Sequence, residues 1–141
     1  MSYRIVVGVD GSPHSVAALR WALSEAREHG GAEITALLSW QLPFLSMPGA
    51  FDRQELEERY KAYLIKIVSE VVPSPEVPLA TVIAEGDPTE SLIAAAKNAD
   101  LLVLGIRGRS PFAGLMLGSV SQACAAHSAC PVVLVKRSDE P

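Results

Sequence analysis

The chain has 141 residues, 49% hydrophobic and 20% charged, with a formal net charge of −4. That length and balance predict one globular domain over residues 1–141 and argue against disorder. The acidic excess argues against a protein that tracks a nucleic-acid backbone, which needs a basic face. It still allows a small anionic ligand, held by backbone amides and a few arginines.

Arg4 to Val9 (RIVVGV) is a β-branched run that predicts a buried strand. Asp10-Gly11-Ser12-Pro13 follows, with Ser12 as N-cap and Pro13 at the first helical position. Val16, Leu19, Leu23 and Ala26 recur at helical spacing until Gly30-Gly31 stops the helix. Glu33 to Ser39 (EITALLS) predicts a second strand, and Trp40 to Phe51 an apolar loop broken by Pro and Gly. Leu56, Tyr60, Tyr63, Leu64, Ile67 and Val71 form one face of a long helix ended by Pro73. Leu79 to Ala84 (LATVIA) is a third strand, and Gly86 turns the chain.

Asp87 and Glu90 stand at capping-box spacing around Pro88, and the helix they open carries Leu92, Ile93 and Ala96 inward before fading near Asn98. Leu101 to Leu104 (LLVL) is a continuous apolar strand, as suits a parallel strand covered on both faces. A loop from Gly105 to Leu117 leads to a helix from about Gly118-Ser119 to His127, and Val132 to Val135 (VVLV) is the last strand. Strand and helix alternate throughout, which predicts an open five-stranded parallel α/β sheet with helices on both faces.

No apolar run approaches the ~20 residues of a membrane helix, and strand residues begin by Arg4. The expectation is therefore a cytoplasmic protein with no membrane partner. Cys124 and Cys130 fit no zinc or redox spacing and read as free thiols.

Ligands of open α/β sheets bind beyond the carboxyl ends of strands, and two strand ends here are unusual. The first closes on Asp10-Gly11-Ser12, a carboxylate on a tight turn that runs into a helix. The fourth closes on Gly105-Ile106-Arg107-Gly108-Arg109-Ser110 and continues to Gly118-Ser119. Gly105 and Gly108 can take positive φ and let an anion approach the backbone. Gly118 and Ser119 would open a helix whose unpaired amides favour negative charge. The same glycines also serve as plain turn residues, and neither GxxxxGK[ST] nor GxGxxG occurs.

The spacing Gly105-x2-Gly108-x9-Gly118-Ser119 resembles the ATP-binding signature of universal stress proteins. VGVDGS (Val7 to Ser12), EGDPTESL (Glu85 to Leu92), ADLLVLG (Ala99 to Gly105) and CPVVLV (Cys130 to Val135) resemble the same family, in order along nearly the whole chain. GSVSQACAAHSACPVVLV looks particularly like actinobacterial members, and the likeness is weakest from Trp40 to Pro78.

The resemblance implies a Rossmann-like fold with strand order 3-2-1-4-5 and ATP as ligand, with Mg2+ on the phosphates as an accessory. It puts Asp10 on the adenine and ribose side, Gly11 and Ser12 on the pocket floor, and Ser39 and Trp40 beside the adenine. Gly105 and Gly108 would lie beside ribose and phosphates, with Gly118, Ser119 and Val120 gripping the phosphates; apart from the resemblance, the loop arginines Arg107 and Arg109 are candidates to pair with the phosphates. It also implies a homodimer joined through the C-terminal strand. Ile106 departs from the small polar residue common there, and Pro111 from a third loop glycine.

Plainer readings stand beside these. Asp10 would cap its own turn, Arg107 and Arg109 would be solvated, Trp40 would be core, and His127 would complement a helix end. Phe44, Leu45, Met47 and Phe51 would pack over the sheet edge or form a lid over the base. Phosphoryl transfer needs positioned cations and an oriented nucleophile, and the glycine loop carries no lysine. A nucleotide-binding regulatory module is therefore expected ahead of a same-fold dimer without nucleotide or a slow ATPase.

Overall fold

A computed structural model describes residues 2–42, 52–107 and 117–137. Phe44, Leu45, Met47 and Phe51, and Gly108, Arg109, Pro111 and Gly114, lie outside the described residues. The elements are β1 (Tyr3–Gly8), α1 (Pro13–His29), β2 (Ala32–Trp40), α2 (Arg53–Val71), β3 (Leu79–Glu85), α3 (Pro88–Ala96), β4 (Leu101–Gly105), α4 (Ser119–His127) and β5 (Val132–Val135). The strands form one parallel sheet, as their alternation with helices predicts, in the order β3-β2-β1-β4-β5 that the resemblance implies. Among the described residues, no helix is long and apolar enough to cross a membrane.

Successive strand residues point to opposite faces, and each face has its own core. Ile5 and Val7 of β1 with Val9 just beyond it, Ile34, Ala36 and Leu38 of β2, and Leu101 and Val103 of β4 pack with α1 and α2. Val6, Leu37, Leu102 and Leu104 face the other way, onto Leu92 and Ala96 of α3 and Cys124 of α4. Burial on both sides is why β4 is apolar throughout.

Local chemistry sets the helix ends. The Ser12 hydroxyl accepts from the Ser15 amide at 3.2 Å and Pro13 opens α1, which stops at Gly30 with φ 58°. Ala18, Ala22 and Ala26 are buried at i, i+4 spacing, so α1 lies close on the sheet; Val16 is only half-buried. On α2 only Leu64 and Val68 are buried, whereas Tyr60, Tyr63, Ile67 and Val71 pack half-buried against the core. That helix covers β2 and β3, the margin of the sheet, so its face is only partly enclosed.

Candidate functional site

A cavity of about 180 Å³ opens where the carboxyl ends of β1, β2 and β4 meet the amino ends of α3 and α4. β1 connects outward to β2 and β4 connects to β5 on the other side, so this is the switch point of the sheet. Val9, Leu37, Leu38, Leu92, Leu104 and Val120 give the cavity an apolar lining, joined by Asp10, Ser12, Ser15, Ser39, Arg107 and Ser121. Pockets enclosing a drug-sized ligand span roughly 300–1,000 Å³. This one is smaller than that range.

The turn after β1 is built around Asp10. Gly11 sits at φ 85°, in the left-handed region that favours glycine. Asp10 Oδ1 accepts from the Ser12 amide at 2.9 Å, and the Asp10 amide donates to Ser15 Oγ at 3.3 Å. Ser15 Oγ donates in turn to the Ser12 carbonyl at 3.0 Å. Asp10 thus caps its own turn and still lines the cavity. A carboxylate has about four acceptor positions, so the two roles are compatible. Gly11 lies apart, in a neighbouring hollow with Arg20, Trp21, Lys136 and Arg137.

The segment between β4 and α4 is pinned at its neck. Ser121 Oγ donates to the Gly105 carbonyl at 2.8 Å, and the Gly118 amide donates to the Ile106 carbonyl at 2.9 Å. The Ile106 amide reaches the Val135 carbonyl at 2.8 Å, tying the neck to β5. Gly118 is the N-cap of α4, without side-chain capping, and the first intrahelical bond runs from Gln122 to its carbonyl at 3.0 Å. Helix amides before that bond lack an intrahelical acceptor, so the amides of Ser119, Val120 and Ser121 are the donors aligned there. Gly118 spends its own amide on Ile106. Val120 and Ser121 line the cavity, whereas Gly118 and Ser119 stand outside its lining.

Two expectations change. Gly105 does not take positive φ. A Cβ there would meet His14 Cβ at 2.7 Å and the His14 carbonyl carbon at 2.8 Å, so glycine is needed for close packing of α1 on the end of β4. Trp40 is core: it points to the α1–α2 face, 5% exposed, stacked on Tyr60 with ring centroids 5.6 Å apart, and does not line the cavity. Alternation along β2 turns Leu37 and Ser39 toward α3 and α4 and Leu38 and Trp40 toward α1 and α2, and of that second pair only Leu38 still borders the cavity.

Sequence reading missed His14, which is 4% exposed. Its Nε2 lies 3.2 Å from Arg107 Nε and its Nδ1 3.1 Å from the Arg137 amide nitrogen; a neutral imidazole accepts at one of the two. It joins α1, the segment after β4 and the segment after β5. Gly105 was the available signal, since glycine at a strand end beside a capped helix start marks a close approach. Ser15 and Ser121 were also missed; Ser15 stands three residues after the N-cap, a spacing that could have revealed it.

Among the described residues, no group of three or more His, Cys, Asp or Glu side chains could hold a metal ion. Burial pushes the Cys124 thiol above its ordinary pKa, which disfavours the thiolate. His127 is exposed at the end of α4.

A sequence profile described as "Universal stress protein family" matches residues 1–136. A universal stress protein of Thermus aquaticus is 33% identical over 136 residues, covering 94% of this chain and 97% of that protein. One from Mycobacterium tuberculosis is 30% identical over 135 residues, covering 95% of this chain but 45% of the relative, so the chain spans about half the length of such mycobacterial proteins. A solved universal stress protein described as in complex with cAMP superposes with a TM-score of 0.74 at 26% identity, covering 96% of this chain and 98% of that one.

Proposed function

The chain belongs to the universal stress protein family, and from that premise we propose that it is a regulatory module whose cavity takes the base of an adenine nucleotide. The observation that carries this reading is a convergence at the switch point. An apolar cavity, the Asp10 carboxylate and the opening amides of α4 meet there. The base occupies the apolar lining, and the phosphates extend toward Ser119, Val120 and Ser121, where unpaired amides and the helix dipole favour negative charge. A family relative is described in complex with cAMP, which supports the ligand class.

ATP as the preferred ligand rests on the Gly105-x2-Gly108-x9-Gly118-Ser119 spacing, with Arg109 as a further phosphate partner. Asp10 is the one carboxylate in the described lining, so Mg2+ would arrive with the phosphates, leaving Asp10 as a single protein partner. Signalling runs through nucleotide occupancy in the cytoplasm, without fast turnover.

Thermal shifts with AMP, ADP and ATP test this directly, since a ligand of the folded state raises the melting temperature by mass action. The shift should grow with phosphate number. Gly118→Glu should abolish it through bulk and like charge, and Ser119→Ala should only weaken it because the backbone donors remain. Equal shifts for AMP and ATP would refute the phosphate placement. No shift with any nucleotide would leave a same-fold interaction protein.

A further inference from the structure

A second hollow, of about 740 Å³, lies between the first half of α1 and the end of β5, and its lining shares no residue with the cavity. Pro13, Val16, Ala17, Arg20 and Trp21 recur at helical spacing, so one stripe of α1 forms its first wall. Val135 and the two residues after it form the second. On this face α1 packs against β5, whereas α2 lies over β2 and β3 at the opposite margin of the sheet. Among the described residues, no helix therefore flanks α1 on the β5 side. That is why Val16, spaced like a core residue, stays half-buried, as does Trp21.

Charge sets this hollow apart. Arg20, Lys136 and Arg137 line it, and among the described residues no carboxylate does. Yet the chain carries 16 acidic side chains against 12 basic ones, and Arg4, Arg27, Arg53 and Arg59 each hold a glutamate. Arg20 has no acidic residue three or four positions away on α1, the spacing at which helix ion pairs form. Arg20 and Lys136 are exposed and form no ion pair with any described residue. A nucleic acid is disfavoured by the net charge of −4, and a bare inorganic anion gains nothing from Val16 and Trp21. A chain that bears carboxylates and apolar side chains together matches both features.

We propose that this hollow docks an acidic segment of a partner protein. Its carboxylates pair with Arg20, Lys136 and Arg137, and an apolar side chain between them lies on Val16 and Trp21. The surface goes beyond the nucleotide reading and does not depend on it.

Fluorescence anisotropy with a labelled, end-blocked peptide alternating glutamate and leucine tests the surface. The wild type should bind it at low salt, and affinity should fall as salt rises. Trp21 emission should shift on binding, while the buried Trp40 reports nothing. Arg20→Glu with Lys136→Glu should weaken binding about tenfold or more, because like charges then face each other, with the melting temperature unchanged. Lys61→Glu with Lys66→Glu alters net charge equally at exposed positions of α2 and should leave binding intact. Equal losses in the two double variants overturn the site, since net charge alone would then govern. Equal binding of a glutamate–serine peptide overturns the apolar contact, and no binding at low salt overturns the surface altogether. Two other occupants would also refute it. A change in assembled mass by light scattering, without a change in peptide affinity, assigns the hollow to a second copy. Binding that appears only after Asp139→Asn with Glu140→Gln assigns it to the chain's own acidic end.

Discussion

Gly105 and Asp10 show how one side chain, or its absence, holds two elements in place. With His14 Cβ 2.7 Å and its carbonyl carbon 2.8 Å from any added Cβ, Gly105→Ala must displace the backbone of α1. Overpacking of this kind costs about 1–3 kcal/mol, so urea denaturation should show a lowered midpoint with an unchanged slope. Asp10 has separable duties. Asp10→Asn retains an oxygen to accept the Ser12 amide but removes the charge that would face the ligand. Losing a charge-assisted hydrogen bond costs about 1.5–3 kcal/mol, roughly ten- to a hundredfold in affinity. The variant should keep its melting temperature and lose nucleotide affinity by that factor in calorimetry. Unchanged affinity would leave Asp10 with the turn alone.

Among the elements, the helices that border the cavity begin by different devices, and those beginnings place the lining. α3 is capped by Asp87, whose carboxylate accepts from the Glu90 amide at 3.0 Å, with Pro88 at the first turn contributing to the cavity wall. An N-cap aspartate replaced by alanine costs about 0.5–2 kcal/mol. Asp87→Ala should therefore lower stability by about that amount in chemical denaturation, and a loss near zero would show that Pro88 and tertiary packing hold the start of α3 alone. α4 has no side-chain cap; it is fixed by Ser121 on the Gly105 carbonyl and by Gly118 on Ile106. That leaves the amides of its first turn available to an anion, where a capping side chain would have competed.

For the whole molecule, the sheet edge matters most. Among the described residues, β5 pairs with β4 on one side only, and Val132 to Val135 are half-buried. A short apolar edge strand invites pairing with another chain, and we propose a homodimer joined along it. Light scattering at micromolar concentration should give about twice the 15.0 kDa chain mass; a stable monomer would refute the seam. The Ile106 amide bonded to the Val135 carbonyl ties this edge to the segment after β4, and the Arg137 amide, 3.1 Å from His14 Nδ1, brings the segment after β5 against α1.

The alternation of β-branched runs with capped amphipathic segments determined the elements, and with them a parallel sheet. The order β3-β2-β1-β4-β5 came with the family likeness, and the structure bears it out. Signals of this kind are local: a proline after Ser12, an aspartate before Pro88 and a run such as LLVL act within a few residues of themselves. The tertiary structure alone decided which strand face meets which pair of helices, and so which side chains share the cavity. That decision separated Ser39 from Trp40, adjacent in sequence and opposite in space, because the pleat turns each successive residue to the other face. It also gave Gly105 its reason, because the atoms that exclude a side chain there belong to His14, ninety-one residues earlier in the chain and in reach only after β4 has paired with β1 beneath α1.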